Sequence, residues 1–133
     1  MVMVSACAVN LTDGLMQVDD FRWQNRLIII FTDEEDDQTI KEILLAEQLE
    51  VDDRHILWFV VSDGNVVTNY EGSIHFTFAN GLKEQYASPD TLLEVVLIGK
   101  DGGVKYRANI LDTAEIYARI DQMPMRQAEM RGQ

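Results

Sequence analysis

Two solid apolar runs, "RLIIIF" at 26–31 and "HILWFVV" at 55–61, constrain this chain more than any other feature. Both are continuous β-formers without the alternation of a half-wet strand, so each reads as a strand covered on both faces, as central parallel strands are. Between them, residues 37–49 read as an amphipathic helix with Ile40, Ile43 and Leu44 on one face, and Leu45 and Leu49 widening the stripe toward the sheet. Asp37 and Lys41 form a favourable i,i+4 pair with the acid on the N-terminal side. Strand, helix, strand makes a right-handed unit with a parallel pair.

Further along, "SDGN" at 62–65 is turn chemistry in which Gly64 and Asn65 tolerate positive φ. Residues 66–78 are β-prone but irregular, and one or two helical turns are expected from Asn80. "TLLEVVLIGKDGGVKYR" at 91–107 reads as a β-hairpin turning at Lys100-Asp101-Gly102-Gly103. A helix then starts at Asp112 as N-cap, with Glu115 reaching back and a Leu111/Ile116 staple; Ile116, Ile120 and Met123 form its buried stripe and Pro124 stops it. The tail after Pro124 is a last helical turn or a frayed end. Phe21 and Trp23 are expected to pack over the end of the sheet.

No repeat or Pro/Gly-rich linker divides the 133 residues, which suit one ordinary domain, assigned to 24–131. Residues 1–23 form an N-terminal segment. Its Ala6-Cys7-Ala8 fits the pattern before a signal-peptidase cut but lacks the basic n-region, so it reads as the trimmed end of an export signal or as a native start. No apolar run approaches the length of a membrane span. With 11 Lys+Arg against 23 Asp+Glu, the net charge of −12 repels phosphate backbones and argues against a nucleic-acid partner. Cys7 is the single cysteine, which excludes an intramolecular disulfide and a dithiol centre within this chain.

The order β-α-β, a variable segment with a short helix, then β-β-α is that of a thioredoxin-like α/β fold, a mixed sheet with helices on both faces. "FTDEEDDQT", "LIGKDGGVK" and "IDQMPMRQAEM" occur in that order, and residues 24–131 resemble the thioredoxin-like P-DUDES domain. This is a domain of unknown function found in bacterial exported proteins and in animal sushi-repeat-containing and coiled-coil-domain-containing matrix proteins. The resemblance implies a periplasmic or secreted protein, with a cytoplasmic one as the alternative. It is also informative by what is missing. Thioredoxin-like enzymes carry a dithiol just after the first buried strand, where helix amides lower the thiol pKa. Here Thr32 to Asp37 stand in that place, and the position of the facing cis-proline falls on Glu94.

The five consecutive carboxylates, Asp33, Glu34, Glu35, Asp36 and Asp37, admit four readings. Acids in a first helical turn satisfy free N–H groups and the positive dipole end. A Ca²⁺ or Mg²⁺ site would use the same oxygens, although Gln38 takes the place where an EF-hand loop needs Gly. A crowded pair serves acid/base chemistry when one pKa is raised by its neighbour. An anionic patch docks a basic protein partner. His55, beside Asp53 and Arg54, and His75 show no metal-ligand spacing, and no G-x-S-x-G, P-loop or G-x-G-x-x-G occurs.

The expected function is a redox-inactive thioredoxin-like binding or accessory module, with no cofactor and partner contacts at Thr32, Asp33, Glu34, Glu35, Asp36 and Glu94. Two alternatives stand beside it: a reductase or peroxidase-like enzyme working without its own dithiol, and a divalent-cation-binding domain using residues 33–37. The enzyme requires a concave pocket beside Thr32 and Glu94, whereas the module expects a flat acidic surface.

Overall fold

The computed structural model describes residues 17–89 and 91–132. The export-signal reading of the first residues and Cys7 lie outside the described residues. Five strands form one sheet: β1 (Arg26–Phe31), β2 (Ile56–Ser62), β3 (Asn65–Thr68), β4 (Glu94–Ile98) and β5 (Val104–Ala108). Their spatial order is β3-β2-β1-β4-β5. β1 and β2 are parallel, whereas β4 runs antiparallel to β1, β3 to β2 and β5 to β4. This is the thioredoxin-like α/β topology that the sequence order implies, with β3 added outside β2.

Every residue of β1 is buried, as a continuous apolar run requires. Odd-numbered Leu27, Ile29 and Phe31 join Phe59, Val61, Val96 and Ile98 on one face, under α3 (Phe78–Tyr86) and the 3-10 turn Val18–Phe21. Even-numbered Ile28 and Ile30 join Trp58, Val60, Val95 and Leu97 on the other, under α1 (Asp37–Ala46), α2 (Gln48–Asp53) and α4 (Thr113–Asp121). The period of two sends alternate side chains into two separate cores.

Several expectations are corrected. The helix of 37–49 breaks at Glu47, whose backbone (φ −110°, ψ 27°) leaves the helical region. The Glu47 carboxylate is drawn to the Tyr117 and Thr113 hydroxyls of α4. α2 then restarts in a new phase and supplies Val51 to the core, so Ile40 and Leu44 are buried while Leu49 is 86% exposed and Ile43 and Leu45 are about half out. The Asp37–Lys41 pair does not form, because Asp37 accepts a hydrogen bond from the buried Ser62 hydroxyl at 2.8 Å. Phe21 packs against Phe59 and Tyr70, whereas Trp23 points outward under Arg22.

In the irregular middle, the two positive-φ residues of the turn are Asp63 and Gly64, so Asn65 already begins β3. α3 starts at Phe78, two residues before the expected turn, because Phe78 and Ala79 belong to its buried stripe. The β4–β5 hairpin turns where expected, with Gly102 at φ +88°. At α4, Asp112 caps the Glu115 amide, but the Glu115 carboxylate pairs forward with Arg119 instead of reaching back. Pro124 ends α4 and also opens a further helix, α5 (Pro124–Arg131), where its missing N–H costs nothing.

Leu44 is wholly buried, so Leu44→Ala is expected to lower unfolding free energy in urea by about 2–5 kcal/mol. Leu49→Ala, by contrast, is expected to change it by no more than about 0.5 kcal/mol, because its side chain leaves little water on folding.

Candidate functional site

β1 delivers the chain to the acidic corner. Thr32 makes the last bond of the parallel pair, N–H to the Val61 carbonyl at 3.0 Å, and is half-buried. The chain then turns through Asp33–Asp36, all four exposed, before α1 begins. Asp33 Oδ1 accepts from the Asp36 amide at 2.9 Å and so shapes the turn. Asp36 is the N-cap but makes no side-chain capping bond, so of the five acids only Asp33 accepts from a main-chain amide near the helix start. Asp37 is turned toward Ser62. Among the described residues, Glu34, Glu35 and the Asp36 side chain have no hydrogen bond or ion pair. These residues are exposed to water, and among the described residues no group of three or more His, Cys, Asp or Glu side chains is placed to hold a metal ion.

Glu94 faces Phe31 across the β1–β4 ladder, at the same end of the sheet. Glu94 is 4% exposed and its carboxylate is bonded within the protein. It accepts from the Ser88 amide at 2.6 Å, the Ser88 hydroxyl at 2.8 Å and Arg107 Nη1 at 3.0 Å. Burial opposes ionisation here, but the Ser88 and Arg107 bonds outweigh it and hold the carboxyl below its ordinary range. Glu94 therefore ties β4 to Ser88 and to Arg107 of β5, beside the last residue of β1. Four clefts on the described surface, of about 300, 570, 220 and 320 Å³, are lined by neither Thr32–Asp37 nor Glu94.

The densest electrostatics lie at the opposite end of β1, where sequence reasoning placed no site. Arg26, Arg54, Lys100 and Arg126 are each at least nine-tenths buried. Arg126 of α5 holds Asp53 at 2.6 Å and Asp121 at 3.0 Å, and Arg54 holds Asp121 at 2.9 Å. Glu129, also on α5, accepts from Arg26 at 3.1 and 3.2 Å and from Lys100 at 2.7 Å. His55 sits beside this group at φ +55°, with Lys100 Nζ 2.7 Å from its Nδ1. It has a carboxylate neighbour in Glu129, at 3.8 Å. A basic residue at the start of one buried run, Arg26, and another just past the end of a second, Lys100, are the sequence signal that pointed here.

Burial works against the ionised Glu129, but Arg26 and Lys100 overcome it and lower its pKa to about 2. A depressed carboxyl stabilises the fold fully above the unfolded value of about 4.5, and that contribution is lost as pH falls toward 2. Removing it in Glu129→Gln is expected to cost about 3 kcal/mol at pH 6, with wild type and variant converging in urea titrations as pH falls through 4 to 2.

Among the described residues, no helix is long and apolar enough to cross a membrane. No curated protein matches the chain. Among solved structures it is similar to the crystal structure of the pneumococcal exposed lipoprotein thioredoxin (Etrx1) from Streptococcus pneumoniae strain TIGR4. Identity is 13%, coverage is 84% of this chain and 95% of that one, and the TM-score is 0.38. Residues 17–129 match the model of a domain of unknown function, DUF4174, and the chain belongs to that family.

Proposed function

We propose that this chain is a redox-inactive binding or accessory module that receives a basic protein partner on the acidic corner: Thr32, Asp33, Glu34, Glu35 and Asp36, with Glu94 at the same end of the sheet. One observation carries this reading. At the tip of the helix after the first buried strand, where thioredoxin-like enzymes hold a dithiol, this chain exposes four consecutive acidic residues and no sulfur. Carboxylates without internal partners keep their charge available to a cationic surface, and a clustered field of one sign speeds encounter with it. The P-DUDES resemblance of residues 24–131 supports a periplasmic or secreted setting and a place among exported proteins.

The test compares two variants of equal charge. Asp33→Asn/Glu34→Gln/Glu35→Gln/Asp36→Asn is expected to weaken binding of a lysine-rich peptide roughly tenfold or more, at about 0.2–1 kcal/mol per exposed pair. Asp19→Asn/Glu42→Gln/Glu71→Gln/Glu84→Gln removes the same charge from exposed positions elsewhere and is expected to change it far less. Equal losses in both would reduce the corner to a share of the general negative field. Disulfide reductase turnover by the Cys7→Ala chain would contradict the redox-inactive assignment outright.

A further inference from the structure

The helix α5 is fastened almost entirely by charge. Its only buried residue is Arg126, and Met125 and Met130 are both more than a third exposed. Two ionic attachments hold it: Arg126 on Asp53 and Asp121, and Glu129 on Arg26 and Lys100. A helix without a buried apolar stripe has little hydrophobic burial to keep it docked, which places it among the segments that open below the global unfolding free energy.

The second attachment has the form of an anion-recognition site. The Arg26 guanidinium presents Nη1 and Nη2 to the two Glu129 oxygens, the parallel fork that suits carboxylates and phosphates, and Lys100 Nζ closes a third side. The cradle is rigid. Arg26 begins the central strand and also donates to the Arg54 carbonyl at 2.9 Å, while Lys100 is fixed against His55. It also gathers cations. Arg26 and Lys100, both buried, converge on Glu129, which Arg126 Nη1 also approaches at 3.9 Å, and Arg26 Nε has no hydrogen-bond partner. Converging buried cations are costly unless well paired, which favours a more highly charged occupant.

We propose that α5 is a strap whose Glu129 carboxylate occupies, as an internal stand-in, a cradle of Arg26 and Lys100 that binds a small oxyanion, carboxylate or phosphate, when the strap lifts. The external anion and Glu129 compete for the same donors. Wild-type affinity is therefore reduced by the fraction of molecules in which the strap is open, and removing the competing charge restores it.

Two measurements on the full chain test this. In Glu129→Gln, amide signals of Arg26, His55 and Lys100 are expected to shift and saturate at millimolar inorganic phosphate or acetate but not with chloride. Wild type is expected to need roughly tenfold more anion. Saturation by phosphate alone, acetate alone or both identifies the ligand class. No saturation by either anion, chloride acting equally, or equal affinity in wild type overturns the cradle. Should the variant fold poorly, wild-type hydrogen exchange decides. At matched ionic strength, amides 128–132 are expected to exchange faster in phosphate or acetate than in chloride while 27–31 stay unchanged, and identical exchange overturns the strap.

Discussion

Complete burial of β1 sets the rest of the structure. A strand with both edges paired and both faces covered must be apolar along its length, and its alternate side chains feed two cores at once. It follows that anything polar in β1's neighbourhood is pushed to its ends, and the two ends solve that problem oppositely. At the entry, Arg26 is buried and must be given an anion, which α5 supplies through Glu129. At the exit, the chain leaves the sheet through Thr32 into acidic residues that need no internal partner because water solvates them.

The exit is where the fold and the proposed function meet. Glu94 and Arg107 tie the antiparallel strands β4 and β5 by a charged hydrogen bond at the sheet end where β1 exits. Asp33 and Asp37 are partly spent on local structure, one folding the turn and the other gripping the end of β2 through Ser62. Glu34, Glu35 and the Asp36 side chain then stay exposed, their charge unspent on hydrogen bonds within the described residues.

Legibility in the sequence followed the range of the interactions involved. The two apolar runs, the hairpin turn and the Asp112 cap are decided by residues near one another, and each was readable from local pattern. The break at Glu47 was not, because its cause lies in Tyr117 and Thr113, far along the chain. Leu49 accordingly looked like core and is solvent-facing. The acidic corner is legible as a charge run, but the bonds that turn Asp37 to Ser62 and fold Asp33 onto the Asp36 amide are not. The ion network of Arg26, Lys100 and Glu129 spans about the whole domain and leaves almost no local trace, since "MRQAEM" reads as an ordinary solvated tail.

The proposed contact surface lies at the exit of β1 and the ionic fastening at its entry, and mapping a lysine-rich peptide onto the amide spectrum tests that separation most directly. Shifts concentrated at residues 32–38 and 62–65 are the predicted result. Shifts centred instead on 24–26, 48–55 and 69–71, around the roughly 570 Å³ cleft at the other end of the sheet, would contradict it.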